Sequence, residues 1–425
     1  MILNKSVVFL SVFKISLIFG FSDNDSINKK KQNYFDVLNT IVAPTGRVFL
    51  HPGLLHSQAD FDRMKTKVAQ NQNPWISGWN RLKYNSHSSS TYVMKGPVVK
   101  LIRGGSSTEE PDPDNYSTAF NDAAAAYQNA IAWKISGDDA YAAKAIEILN
   151  AWAATCTSIS GDSNRALGAG IYGYEFANAA EIMRDSKCWS AKDFSAFKQW
   201  IVNVFYTVNY NFLETHWNTC NTHYWANWDL CNLASILSIA VLTDDSVKYD
   251  YAINYLKNGI GNGQLIKAIN NIHSKGSDDD IDLGQLQESG RDQGHALMNI
   301  GLLGTIAQMA NSQGDDIYGY NDNLILKGAE YIAKFNFGKL SVPFTAYTNC
   351  DNITHTTSAD DASRGNVRPI WERIYNHYVV EKGLTARYVK KARELHYPEG
   401  GGGDYDPNSG GYDELGFGTL LYSLE

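Results

Sequence analysis

The sequence predicts an all-α fold: an α/α toroid of about six to seven antiparallel helical hairpins in a single domain. Three observations carry this. From about residue 57 the apolar spacing is almost everywhere i, i+3, i+4 and i+7, the period of an amphipathic helix. Short polar connectors, Ser136-Gly-Asp-Asp, Ser160-Gly-Asp-Ser, Thr243-Asp-Asp and Ser312-Gln-Gly-Asp-Asp, separate the runs, so successive helices turn back on one another. No self-similarity at a fixed period of about 30–45 residues marks a solenoid.

Taken in order, Met1 to Gly20 is a short start with Lys5 followed by an apolar run, too short for a comfortable membrane span, and reads as a signal peptide. Residues 21–45, with Lys29, Lys30 and Lys31 among Asn, Asp and Ser, read as a flexible lead-in, and 46–425 as one domain. A secreted or periplasmic location follows from that leader. Ser57 is a helix N-cap with early acids behind it. Helical runs then cover 120–136, 139–156, 166–186, 190–215, 226–243, 246–258, 290–312, 321–337, 368–382 and 385–396, with shorter candidates at 75–84, 264–272 and 413–423. The longer loops (97–118, 273–290, 340–367 and the Gly-rich 398–412) are the natural builders of a site.

Composition narrows the function. With 44% apolar and 19% charged residues, 35 Gly and 10 Pro, the chain is neither disordered, collagen-like nor a coiled coil. A net charge of −8 without a basic run argues against nucleic acid and against an anionic membrane surface. After the leader, no stretch reaches the roughly 18 uninterrupted apolar residues of a span. The 25 Tyr and 10 Trp suit sugar rings as well as cores. Five widely spaced cysteines leave at least one free thiol; Cys220–Cys231 is the candidate bridge, and the spacing fits no zinc knuckle.

Several stretches resemble the alginate lyase superfamily of secreted polysaccharide lyases. They are His51-Pro-Gly-Leu-Leu-His56 with Gln58-Ala-Asp-Phe-Asp62, Gly170 to Arg184, and Tyr224-Trp-Ala-Asn-Trp-Asp229. Gln287-Glu-Ser-Gly-Arg-Asp-Gln-Gly-His295 and Arg368-Pro-Ile-Trp-Glu-Arg-Ile-Tyr-Asn-His-Tyr378 follow in collinear order. The resemblance implies an α/α toroid that cleaves a uronic-acid polymer, alginate first among them, by β-elimination. The implied partner is an anionic polysaccharide.

That chemistry needs the uronate carboxylate neutralised, so that the enolate-like intermediate can form, by donors aimed at the developing charge. It also needs a base for H5 and an acid for the departing O4, roles that His and Tyr fill. Asn221 and His223 are the first candidates, neutraliser and base; the resemblance implies an Asn-His pair ahead of Tyr-Trp, whereas Thr222 separates the two here. Ser289 and Asp292 resemble a capping box, which would start a helix near Gly290 and place Arg291 and His295 on one face at its mouth. Tyr375 is the candidate acid/base, with Tyr224, Tyr172 and Tyr378 as rivals. Tyr172, Tyr224, Asn227, Trp228, Gln287, Glu288, Trp371 and His377 are candidate substrate contacts. Capping, ion pairing and core packing are the competing readings of these residues.

No metal ligand set and no required cofactor are expected. Asp404-Tyr-Asp-Pro-Asn408 starts like a calcium loop but lacks the Gly and the closing Glu, and Asp278-Asp-Asp-Ile-Asp282 leaves room only for a structural Ca²⁺. Two other functions compete. An inverting glycoside hydrolase would need carboxylates about 6.5–9.5 Å apart, for which Glu288 with Asp229 or Glu372 can be nominated. A non-catalytic glycan-binding protein would use the aromatics alone.

Overall fold

The helices that follow Ser57, Asp138, Ser190, Asp245 and Asp292 start on that side chain as a cap, and the helix ending at Ser136 stops on Gly137 in the left-handed region. The computed structural model describes residues 46–359, 363–405 and 411–425, so the leader at 1–20, the lead-in at 21–45 and most of the calcium-like string at 404–408 lie outside the described residues. Helix α1 (Gln58–Ala69) has a full capping box, Ser57 and Asp60 each closing on the other's backbone. Then come α2 (Trp75–Tyr84), strand β1 (Lys100–Ile102), α3 (Ser117–Ser136), α4 (Asp139–Thr155), β2 (Ser158–Ser160) and α5 (Arg165–Met183). The chain continues through α6 (Ala191–Ile201), α7 (Thr207–Thr215), α8 (Ala226–Thr243), α9 (Ser246–Asn258), α10 (Leu265–Ala268), β3 (Ile269–His273) and β4 (Leu283–Leu286). It closes with α11 (Gln293–Ser312), α12 (Tyr320–Asn336), β5 (Tyr347–Thr348), β6 (Thr354–His355), α13 (Trp371–Tyr375), α14 (Arg387–Leu395) and α15 (Gly418–Leu421). The chain is mostly helical, and among the described residues the strands form three two-stranded pairs, β1 with β2 parallel, β3 with β4 and β5 with β6 antiparallel.

Four expectations need correction. The run at 190–215 is two helices joined by a π-turn at Val202–Tyr206, where the ladder widens. Residues 264–272 form one helical turn and then strand β3, because Asn270 and Asn271 are poor helix formers and the segment pairs with β4. In the 368–382 run, Pro369 holds the start back to Trp371, and a π-turn replaces the α ladder at Asn376–Glu381. The helix expected near Gly290 begins at Gln293, capped by Asp292.

Residues 47–425 form one compact unit. Packing passes from α1 to α3, α5, α8, α11, α13 and α15 and returns to α1, while α4, α9, α12 and α14 each pack against members of that succession. Helix α5 crosses α8 at close range: a Cβ at Gly170 would stand 2.4 Å from Cys231 Sγ, and one at Gly173 2.2 Å from Ser235 Oγ. Only glycine permits that approach. Helix α8 is long and apolar enough to cross a membrane, but 89% of it is buried inside the protein. It is the core helix, and its first turn supports the site.

Candidate active site

The site grows from two helix starts and two loops. At the first turn of α8, the backbone N–H of Ala226 donates to Gln287 Oε1 (3.0 Å), and that of Asn227 to Glu288 Oε1 (2.9 Å). The Asn227 amide also donates to both Glu288 oxygens, at 2.8 and 3.0 Å. Glu288 is fully buried, so it needs these partners and a cation, and Arg291 Nη1 supplies the latter at 2.8 Å. An anion at a helix N-terminus is favoured by the aligned peptide dipoles. Gln287 and Glu288 are therefore supports of the helix start, not sugar contacts.

Asp292 caps α11. Its Oδ1 accepts the backbone N–H of His295 (2.8 Å), and its Oδ2 meets His295 Nδ1 at 2.6 Å and Arg291 Nε at 3.7 Å. Burial pushes the Asp292 carboxyl up, but the hydrogen bond and charge of His295, with Arg291 behind, carry it below its ordinary value. Asn227, Asp292 and His295 line a cavity of about 300 Å³ with Arg103, Asn366, Arg368 and Asp413. Arg368 is neutralised by Asp413 at 2.9 Å and donates to Gly294 O at 3.1 Å. Arg103 has no carboxylate ion-pair partner among the described residues; its Nη1 donates to the Tyr172 hydroxyl (3.0 Å), and its guanidinium lies 5.0 Å over the Tyr116 ring. Burial raises the Tyr172 hydroxyl well above its ordinary value, more than Arg103 lowers it, so that hydroxyl keeps its proton.

A rim lies beside this cavity. Cys220 is bridged to Cys350, not to Cys231, which is buried and free against α5. The bridge ties the 219–225 loop to the β5–β6 hairpin, where Cys350 N donates to Thr222 Oγ1 (2.9 Å) and Asp351 Oδ2 meets His223 Nδ1 (2.8 Å). Trp225 lies under Arg291 (5.3 Å to the ring) and beside His355 (5.4 Å between rings). Burial and then Arg291 push the His355 imidazole down, so it stays neutral.

Of the sequence candidates, Arg291 and His295 meet on Asp292, and Asn227 joins His295 in the cavity. Asn221 is exposed on the rim loop, and His223 stands on that rim against Asp351 and Tyr224. Tyr224 is buried against Trp228 (4.7 Å) and Phe212 (5.1 Å), which makes both Tyr224 and Trp228 packing residues. Tyr375 is buried, with Arg393 over its ring at 5.0 Å and that arginine paired with Glu372 at 3.0 Å. Trp371 is fully buried edge-on to Phe337. His377 stacks on Tyr318 (3.9 Å) and lines a different cavity with Gln308 and Asn311, at the other end of α11 from His295. Asn311 is 16 residues along that helix, about 24 Å at 1.5 Å per residue. The aromatic stripe of α13 is core; Tyr172, itself fully buried, meets the cavity through its hydroxyl's hydrogen bond from Arg103.

Arg103, Asp292, Asp351, His355, Asn366 and Arg368 went unnamed as site residues. Arg103, Asp351, His355 and Asn366 do lie in loops marked as site builders, but single polar residues in such loops carry no spacing signal. The acids at 278–282 are engaged: Asp279 pairs with Lys334 (2.7 Å) and Asp280 with Arg387 (3.1 Å). The one cluster of metal-ligand type among the described residues is Cys220, Cys350 and Asp351, and its two thiols are spent in the disulfide.

A helical chain whose cavity holds arginines and an imidazole, with each lining carboxylate already paired to one of them, is built as a polysaccharide lyase is. The alginate lyase family model matches residues 64–339, and the chain belongs to that family. Solved structures agree on the fold. An alginate lyase from Bacteroides ovatus is 15% identical over 88% of this chain and 100% of its own, with a TM-score of 0.55. Alginate lyase A1-III from Sphingomonas species A1 is 15% identical over 90% and 99%, with a TM-score of 0.56. A tyrosine-to-phenylalanine variant of A1-III complexed with tetrasaccharide gives 16%, 90% and 99%, and 0.55. No curated protein matches the sequence.

Proposed function

We propose that the protein is a secreted or periplasmic lyase that cleaves a 4-linked polyuronate, alginate first, by β-elimination in the cavity at the start of α11. The helices form an α/α toroid, a reading supported by a packing succession that returns to its first helix. Arg103 receives the uronate carboxylate. Asn227 and Arg291 hold the floor on which that sugar rests. The His295 imidazole takes H5, and the Tyr172 hydroxyl, which keeps its proton, is the donor for O4. This moves the base from His223 to His295 and the acid from Tyr375 to Tyr172. Asn221 and His223 remain rim contacts for a neighbouring sugar. No cofactor enters these steps.

The observation that carries the reading is Arg103, without a carboxylate ion pair among the described residues, sharing one cavity with His295 in a chain of net charge −8. A hydrolase would need two free carboxylates flanking the bond. Here Asp292 is taken by His295 and Asp413 by Arg368. Incubation with mannuronate, guluronate and glucuronate polymers, followed by ultraviolet absorbance of the unsaturated product, tests the proposal. New reducing ends without absorbance would indicate hydrolysis, and an intact polymer would indicate a binder.

A further inference from the structure

We propose that Asp292 is a positioning residue with two simultaneous tasks: one carboxylate oxygen starts helix α11 and the other locks His295 in the tautomer that turns a bare Nε2 to the cavity. The proposal rests on His295 being the base. An ionised carboxylate only accepts hydrogen bonds, so at 2.6 Å from Asp292 Oδ2 the Nδ1 of His295 carries a proton, and in the neutral ring that leaves the lone pair on Nε2. The second oxygen holds the backbone N–H of that same residue at 2.8 Å. Main chain and ring of His295 are thus gripped by one rigid group. Turning the ring away breaks one bond, and unwinding the first turn breaks the other.

The charged groups facing the pair come from four places. Arg291 precedes it in the chain, Arg103 follows β1, and Arg368 and Asp413 come from the C-terminal segments as a closed ion pair. Asp292 is the carboxylate in direct contact with the His295 ring. Removing the Asp292 charge should therefore move the acidic limb of kcat/KM to lower pH.

Asp292→Asn separates the tasks, because an asparagine has one oxygen to give. Asn caps a helix as well as Asp does. With its oxygen on the His295 N–H, its amide N–H₂ faces Nδ1 and drives the ring proton to Nε2, the useless tautomer. The expected result is a kcat lower by about 10²- to 10⁴-fold, KM within a few-fold, an unchanged melting temperature and a shifted acidic limb. The ¹⁵N spectrum of His295 should show the exchanged tautomer. Asp292→Ser keeps a capping hydroxyl without a ring partner and should lose less turnover than Asp292→Asn. Wild-type kcat and an unmoved limb in Asp292→Asn would overturn the proposal, as would activity losses that merely track melting temperature in both variants. Wild-type turnover in His295→Ala would instead overturn the assignment of the base beneath it.

Discussion

At the scale of single residues, the two histidines separate by position. His295 lines the cavity, whereas His223 sits on the rim with Asp351. His295→Ala should lower kcat about 10²- to 10⁴-fold with a small change in KM, the mark of a lost proton acceptor. His223→Ala should act mainly on KM, and steady-state kinetics of both variants on one polymer separates the roles. Arg103→Ala should raise KM and lower kcat together, since carboxylate binding matters before and during enolate formation. Unchanged kinetics in that variant would remove Arg103 from the site. Arg291 and His295 do come together, but through Asp292 and not as one helical face, because the helix starts at Gln293 and leaves Arg291 ahead of its cap. Tyr375 misled because its i, i+4, i+7 stripe with Trp371 and Tyr378 has the spacing of a core face and nothing in it marks a cleft. The cavity face of α5 carries no such signal, since that helix is buried almost all round.

At the scale of elements, helices whose apolar period is unbroken were legible to within a few residues; α8 and α9 fall at 226–243 and 246–258 as read. What was not legible came from partners far along the chain. Strand β3 exists because β4 lies beside it, and the rim exists because Cys350 reaches Cys220 across 130 residues. Closing a loop that long restricts the unfolded chain, so Cys220→Ser with Cys350→Ser should cost about 2–5 kcal/mol of stability. Thermal melting measures that loss. The same double variant should raise KM more than it lowers kcat, because the hairpin carrying Asp351 is freed while His295 stays in place.

At the scale of the molecule, the helical class followed from periodicity and connector length, while the buried polar interior did not. Burial and the neighbouring Glu372 raise Glu399 to about 8, and burial raises Glu330 and Glu414 to about 7. A carboxyl raised on folding binds more protons in the folded than in the unfolded state, so its stabilisation is full below the unfolded value and is lost as pH climbs through the folded one. The melting temperature should therefore fall between about pH 6.5 and 8, at a rate near 1.4 kcal/mol per pH unit for one such group. Above about pH 7 the histidines pushed down by burial, such as His56 at about 4, are largely neutral in both states and scarcely oppose the fall. Glu399→Gln should flatten the melting curve against pH, and an unaltered slope would show that this carboxyl is not the one titrating. Cutting the chain near residue 215 should leave neither half folded, because α5 loses α8 along its glycine face; circular dichroism of the two halves checks this.

The central claim is elimination by side chains at the mouth of α11. Its most direct test follows absorbance of the unsaturated product as purified protein, stripped with EDTA, meets a polyuronate. The account predicts a rise at nearly the untreated rate in the wild type and a rise slower by about 10²-fold or more in His295→Ala. Full loss on stripping with recovery on a divalent cation, or an equal rise in His295→Ala, would contradict it.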